Sequence, residues 1–321
     1  MRLGKLDNDT LNKLVLSKLQ HVRSEVVCAP SVGVDCSAVE LGGRLAVLST
    51  DPITSATKNI GRLTVHVNCN DAAAAGAEPI GLLVTLLAPP SATEEELNTV
   101  TTELSETAAR ENVEILGGHT EITDAVTRIV TNATVLAKAG ERGVLTPGGM
   151  QDGDSLVLTK HAGIEGASII ASEQAHRITG VSEAELLEAR GFIDSISVVK
   201  EGLIAADYGA TAMHDVTEGG VLGAAWEMAF AAGRGIIIDK AQIRVHPITQ
   251  KLCDAFKIDP LRLISSGCML IAVSDGVGLV KKLNEAGIDA AVIGRAAGSD
   301  ARFVDGTLIT PPEADELYKT F

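Results

Sequence analysis

The hydrophobic and polar positions of this chain follow two patterns, which predict helices and strands in alternation. Apolar residues three or four positions apart predict amphipathic helices, at 9–19, 59–77, 97–108, 192–208 and 221–232. Short continuous apolar runs predict buried strands, at 45–49, 80–87, 126–137, 155–159, 235–238, 268–273 and 290–293. Ser91 and Glu94 are spaced as a capping box that starts the third helix. The alternation indicates an α+β (mixed α/β) fold.

A turn-rich segment divides the chain. Residues 145–154 carry Pro, Gly and Asp in a cluster and precede a new apolar strand. We therefore predict two domains, 1–150 and 151–321, which suits a chain of 321 residues. Near the end, Asp305 and Gly306 predict a tight hairpin.

Composition and charge argue against several classes of binding partner. The formal net charge of −15 argues against nucleic acid and anionic membranes as partners, because both would repel the protein at long range. No segment approaches the ~20 apolar residues that span a bilayer, and the first residues carry no apolar signal core. The 5 cysteines lack CxxC spacing, which argues against a disulfide framework or a zinc site and favours a reducing cytoplasm.

Three aspartates are candidate metal ligands. Asp35 lies in a glycine-containing loop, Asp51 follows an apolar strand, and Asp71 stands beside Asn70 in a predicted helix. Hard cations such as Mg²⁺ take carboxylate oxygens together with phosphate oxygens and water. Taken singly, Asp51 and Asp71 are equally explained as caps, and Asp35 as a solvated loop residue.

Two glycine-containing segments are candidate phosphate sites. Gly117 and Gly118 allow a close backbone approach. Thr217 is a plausible N-cap for the helix after Gly219 and Gly220, where free N–H groups and the helix dipole would attract an anion. The alternative is an ordinary cap with a glycine-lined packing contact.

These segments together resemble a known superfamily. The runs 45–52, 70–79, 117–121 and 214–220 are similar to motifs of aminoimidazole ribonucleotide synthetase, selenophosphate synthetase, thiamine monophosphate kinase and the hydrogenase maturation proteins that make cyanide ligands. The resemblance runs from about Val32 to the C-terminus. It implies a two-domain PurM-like fold with a C-terminal α/β sandwich domain. It also implies a homodimer, in which strands of two N-terminal domains form a shared β-barrel.

The resemblance also implies a site that uses ATP and Mg²⁺. Metal ligands are then expected at Asp35, Asp51 and Asp71. Nucleotide and phosphate contacts are expected at Asn70, Gly117, Gly118, Thr120, Thr217, Gly219 and Gly220. His119 and Asp215 are candidate catalytic residues without an assigned role.

The chain departs from the family pattern at three places. Val34 stands where the family usually has an acid, and Glu218 stands where the hydrogenase maturation proteins usually have Arg. The sequence ends Leu317–Phe321, where those proteins end in Pro-Arg-Ile-Cys, so the tail is expected to be dispensable for ATP turnover. The acceptor would then be a small molecule or a group of a partner protein.

The most economical hypothesis is a Mg²⁺-dependent ATP-binding enzyme that phosphorylates an amide-like oxygen of a small substrate. Three alternatives stay open. They are a hydrogenase-maturation-type protein, a non-catalytic ATP-binding scaffold paralogue, which Val34 and Glu218 favour, and aminoimidazole ribonucleotide synthetase itself.

Overall fold

The computed structural model describes residues 8–19, 23–54, 56–298, 301–312 and 314–321. The α-helices of this part are α1 Asn8–Leu14, α2 Ile60–Ala74, α3 Glu94–Arg110, α4 Ile164–Glu173, α5 Glu183–Arg190, α6 Val199–Tyr208, α7 Gly220–Ala232, α8 Pro247–Phe256 and α9 Gly276–Glu285. Its strands are β1 Val26–Cys28, β2 Ser37–Glu40, β3 Leu45–Ile53, β4 Ala77–Ala88, β5 Glu114–Ile122, β6 Val130–Ala139, β7 Ser155–Thr159, β8 Ala212–Asp215, β9 Gly235–Ile238, β10 Met269–Val273, β11 Ala290–Ala297, β12 Arg302–Val304 and β13 Thr307–Leu308.

The first sheet has 6 strands in the order β1-β2-β3-β6-β4-β5. All its pairs are antiparallel except β4 with β5, which is parallel. Helix α2 packs on the sheet, and α3 packs on α2. Gly61 permits that helix contact, because a Cβ there would lie 2.4 Å from the carbonyl oxygen of Val100. The core on this face is built of small aliphatic residues.

The second sheet has 7 strands in the order β13-β12-β9-β11-β7-β10-β8 and is covered on both faces. Leu156, Leu158 and Leu270 face α7. Val157 and Ile271 face α6 and α9. Because both faces are buried, the strands appear in the sequence as continuous apolar runs rather than alternating ones. The predicted mixed α+β two-domain fold is confirmed.

Several predicted boundaries were wrong for identifiable reasons. The first helix ends at Leu14, not at 19, and none of its described residues is buried, so packing does not extend it. The capping box is formed by Thr93 and Glu96 rather than Ser91 and Glu94. Residues 89–92 form a turn instead, in which the N–H of Ala92 donates to the carbonyl of Pro89 at 2.9 Å.

The structure of the single chain contains no closed barrel among the residues it describes. The first sheet is open, and β5 forms one edge, with all nine of its residues exposed. The shared barrel of two subunits therefore stays a prediction. Among the described residues, no helix combines the length and the apolar character that crossing a bilayer requires.

The two sheets are joined through the segment 195–198. Asn70 on α2 donates from Nδ2 to the carbonyl of Ile196 and accepts the N–H of Val198, both at 2.8 Å. Lys160, the residue after β7, donates to the carbonyl oxygen of Ser195 at 3.0 Å and forms a 2.7 Å ion pair with Glu201. These bonds explain why the helix predicted at 192–208 is interrupted and resumes only as α6.

Candidate functional site

Three aspartates from separate segments meet at one cavity. Asp35 lies just before β2, Asp51 lies within β3, and Asp71 lies on α2. All three line a cavity of about 350 Å³, together with Ser49 and Thr217. The structure thus brings the predicted metal-binding carboxylates together, although they are up to 36 positions apart in the sequence.

Asp71 is the most constrained of these acids. It is 4% exposed, and Ser49 donates a 2.5 Å hydrogen bond to its Oδ2. Burial raises the pKa of Asp71 well above its ordinary value, and the negative charges of Asp215, Asp51 and Asp35 raise it further, against the bond from Ser49. A buried carboxylate with three like charges around it calls for a compensating cation.

His214 and Asp215 enter the same cluster from the end of β8. One ligand atom from each of Asp35, His214 and Asp215 lies within 4.8 Å of the other two. His214 Nδ1 is 3.7 Å from Asp35 and 3.9 Å from Asp215, and His214 Nε2 is 3.2 Å from Glu227 on α7. Burial lowers the pKa of His214, but the surrounding carboxylates raise it more, so the value lies well above the ordinary one.

The donor set fits a divalent cation. His214 Nδ1 and Asp215 Oδ2 are buried without a hydrogen-bond partner, and both residues are at most 3% exposed. Unpaired buried polar atoms are costly, and an ion among these carboxylates would satisfy them. Asp215, which was predicted only as a catalytic candidate, therefore lies close to the predicted metal-binding acids.

Asn70 lies behind the site rather than in it. Its side chain is fully buried, and both its donor and its acceptor are engaged by the backbone of Ile196 and Val198. A direct contact with nucleotide, as predicted, would require breaking those bonds. The structure instead gives Asn70 the role of holding α2, and with it Asp71, against the second half of the chain.

The start of α7 differs from the predicted phosphate site in its N-cap and in the partners of its N–H groups. The N-cap is Gly219, not Thr217, and it has no side-chain cap bond. The N–H of Gly219 donates to Asp315 Oδ2 at 2.7 Å, and the N–H of Gly220 donates to the carbonyl of Thr217 at 3.1 Å. A Cβ on Gly220 would lie 2.6 Å from the carbonyl oxygen of Leu261, so this glycine serves close packing.

The predicted phosphate loop at 117–120 is a strand. Gly117, Gly118, His119 and Thr120 all lie within β5. A Cβ on Gly118 would lie 1.7 Å from the carbonyl oxygen of Val84, so the parallel pairing with β4 requires glycine. Strand β5 stands three positions from β3 in the sheet, or ~14 Å at the usual strand spacing. Within one chain, these residues do not join the acids.

Two of the departures from the family pattern are visible at the site. Val34 lines the cavity, where the resemblance implies a further acid. Glu218 accepts a 3.1 Å hydrogen bond from the hydroxyl of Tyr318. The C-terminal segment is packed, with Leu317 and Thr320 buried. Removing the tail would open that packing, and the expectation that it is dispensable for ATP turnover stays a prediction.

Sequence reasoning missed the contacts around His214 and Asp315. His214 stood in a recognised motif, but its partner Glu227 lies on the next helix. Asp315 is 2% exposed and accepts the N–H groups of Gly219, Ile264 and Leu317. Its only sequence signal was an acid near the end of the chain, which is typical of a solvated residue.

Comparison with known proteins identifies the family. The model of the AIR synthase related protein N-terminal domain matches residues 33–139, and that of its C-terminal domain matches residues 151–305. A putative hydrogenase expression/formation protein of Methanocaldococcus jannaschii is 26% identical over 275 residues, which cover 84% of this chain and 80% of that protein. The carbamoyl dehydratase HypE of Rhizobium leguminosarum is 28% identical over 288 residues, covering 85% and 79%.

The fold agrees with this assignment. A crystal structure of the hydrogenase maturation protein HypE in complex with ATP superimposes with a TM-score of 0.75 at 19% identity, covering 99% of this chain and 97% of that one. The resemblance stated from the motifs is thereby confirmed. This chain belongs to the AIR synthase related protein family, and hydrogenase maturation proteins are among its relatives.

Proposed function

We propose that this chain is a Mg²⁺-dependent ATP-binding enzyme that activates an amide-like oxygen of a small substrate by phosphorylation. The observation that supports this most is the meeting of Asp35, Asp51 and Asp71 around one cavity, with Asp215 close enough for its charge to raise the pKa of Asp71. Asp71 has three like charges around it, and like charges at short range destabilise a fold unless a cation or proton offsets them.

The residues of the chain have separable parts in this proposal. Asp35, Asp51 and Asp71 would hold Mg²⁺, which when bound neutralises charge on a transferring phosphoryl group. Ser49 orients Asp71 through its hydrogen bond. Asn70 fixes α2 against the segment 195–198. An amide oxygen is a poor leaving group, and phosphorylation makes it a good one.

We propose that ATP contacts the chain at Thr217, which lines the cavity. The predicted phosphate contacts of Gly117, Gly118 and Thr120 require a second copy of the chain, because β5 is remote from the acids within one chain. The homodimer and its shared barrel thus remain part of the proposal, with residues 1–150 as the dimerisation domain. His119 keeps no catalytic role here, since it is exposed and bonded only to Glu121 among its described partners.

The first test is a thermal unfolding series with ATP, with Mg²⁺ and with both. At a ligand concentration a hundred times its dissociation constant, binding should stabilise the protein by about 2.7 kcal/mol. For a chain of this size that raises the melting temperature by several degrees. The rise is expected with ATP and Mg²⁺ together. No rise at millimolar concentrations of both would contradict the proposal.

A second candidate is a non-catalytic ATP-binding scaffold paralogue. Val34 in the cavity supports it, because a missing acid weakens the binding of a second cation. The two candidates differ in turnover. An enzyme should hydrolyse ATP measurably once its substrate or partner is supplied from a cell extract, whereas a scaffold should bind ATP with no increase in hydrolysis.

A further inference from the structure

The cluster at the end of β8 contains a nitrogen atom that the proposed Mg²⁺ site does not use. His214 is 3% exposed, and its Nδ1 has no hydrogen-bond partner. The nearest charged atoms to Nδ1 are carboxylate oxygens of Asp35 at 3.7 Å and Asp215 at 3.9 Å. Both distances exceed that of a hydrogen bond. The ring therefore lies beside two acids, each farther from Nδ1 than an ordinary hydrogen bond.

The other side of the ring is held in place. His214 Nε2 lies 3.2 Å from Oε2 of Glu227, which is close enough for the ring N–H to donate to the carboxylate. A histidine that binds a metal through one nitrogen nearly always donates its other N–H to a carboxylate or carbonyl. The bond fixes the orientation of the ring and makes the free nitrogen a better electron-pair donor.

The spacing of the ligand atoms suits one ion. Atoms ~2.1 Å from a common cation lie ~3–4 Å apart. The ligand atoms of Asp35, His214 and Asp215 lie within 4.8 Å of one another, so a contraction of at most about 2 Å would bring them to the separations that one ion requires. Asp215 Oδ2 is also buried without a partner.

We propose that Asp35, His214 and Asp215 bind a divalent first-row transition-metal ion through two carboxylates and one imidazole nitrogen. Imidazole is a preferred ligand of such ions, whereas Mg²⁺ prefers oxygen alone. The inference deepens the proposed function, on which it rests for the role of the site. It adds that one position of the acidic cluster favours Mn²⁺, Fe²⁺, Co²⁺ or Zn²⁺ over Mg²⁺.

The experiment uses Mn²⁺ as the probe on the full chain without nucleotide. Pulsed electron paramagnetic resonance detects coupling between bound Mn²⁺ and the nitrogen of a ligating imidazole. Coupling is expected in the wild-type protein and is expected to vanish in His214→Gln, with a loss of Mn²⁺ affinity of roughly tenfold or more. His176→Gln is the matched control, because His176 is exposed on a short 3-10 helix, and this variant should keep the coupling.

Other results would overturn the inference. Bound Mn²⁺ without nitrogen coupling in the wild-type protein would mean an all-oxygen site, with His214 serving as an internal cation. Coupling that persists in His214→Gln would point to a different histidine. If His214→Gln does not fold, the wild-type spectrum still decides, and Glu227→Gln should keep the coupling while weakening Mn²⁺ binding. ATP binding in the thermal series is a separate readout, so it shows whether the proposed function fails independently.

Discussion

At the scale of single residues, we expect the acidic cluster to lower the free energy of unfolding. Asp71 occupies a buried helix position where an apolar side chain would pack without cost, and three further aspartates raise its pKa. Local departures from the rules of folding are expected at functional sites. The same logic does not extend to His119, which is exposed on β5 and for which the structure provides no such environment.

The substitution Asp71→Asn tests whether the buried charge of Asp71 lowers the stability of the protein without metal. The amide keeps the shape of the side chain and removes its charge, so the protein in EDTA should become more stable by on the order of 2 kcal/mol. Stabilisation by Mg²⁺ should fall at the same time. Urea unfolding in EDTA and in Mg²⁺ measures both effects. A variant that is less stable in EDTA would mean that the carboxylate has a structural role, and Asp207→Asn, at an exposed position of α6, is the control.

Glu165 provides a pH test away from the metal-binding acids. It is buried at the start of α4, and burial raises its pKa from 4.5 to about 7. As pH rises from 4.5 toward 7, the unfolded chain loses this proton first, so the raised pKa contributes stability at low pH that is lost near neutrality. Glu165→Gln removes this effect. The variant should gain about 2.5 kcal/mol relative to wild type between pH 5 and pH 8.

Urea unfolding of both proteins across that pH range is the measurement. A constant difference would show that Glu165 is ionised in the folded protein throughout. Glu285→Gln changes an exposed acid of α9 and should leave the pH dependence as in wild type.

Residue chemistry was only partly predictable from the sequence. Asp35, Asp51 and Asp71 could be named because they stand in segments that match known motifs. The orientation of the His214 ring could not be predicted, since it depends on Glu227, thirteen positions later on another element. The N–H of Gly219 is not free for an anion, because it donates to Asp315, 96 positions away. No local sequence pattern encodes such a contact.

At the scale of elements, the segment 195–198 connects α2 to the second sheet. Its backbone is bonded to Asn70 and Lys160 rather than to a helix of its own. The sequence there is apolar enough to suggest one continuous helix, because hydrophobic spacing does not record which backbone groups are claimed by distant side chains. The strands of the second sheet were easier to predict, since burial on both faces leaves continuous apolar runs such as β7 and β10.

Asn70→Ala measures what this connection contributes. It leaves the buried carbonyl of Ile196 and the buried N–H of Val198 without partners, which should reduce the free energy of unfolding by about 2–4 kcal/mol. ATP binding should weaken with it, because Asp71 is the next residue on α2. Asn98→Ala, at an exposed position of α3, should change stability by less than about 0.5 kcal/mol. Equal effects of the two variants in urea unfolding would contradict the connecting role.

At the scale of the whole molecule, the open edge of the first sheet exposes a group of large apolar side chains. Ile115, Leu116 and Ile122 on β5 are 40–54% exposed, and Ile80 and Leu83 on β4 are 43% and 52% exposed. An unpaired, apolar edge strand attracts another chain. A second copy that pairs here would bury these residues, as the predicted homodimer requires.

Leu116→Glu tests the dimer. A charge in this patch would be buried against a second copy, so the variant should be monomeric by light scattering at micromolar concentrations where the wild type is a dimer. Leu187→Glu is matched in chemistry and lies at a 66% exposed position on α5; it should leave the mass unchanged. A monomeric wild-type protein would refute the prediction.

The central claim is that the convergent aspartates bind ATP through a divalent cation. Isothermal titration of ATP into wild type and Asp71→Asn, in Mg²⁺ and in EDTA, tests it most directly. The account predicts tight binding only for wild type in Mg²⁺, with the variant in Mg²⁺ reduced to the weak binding that both proteins show in EDTA. Equal affinities with and without Mg²⁺, or an Asp71→Asn variant that binds Mg²⁺-ATP as wild type does, would contradict it.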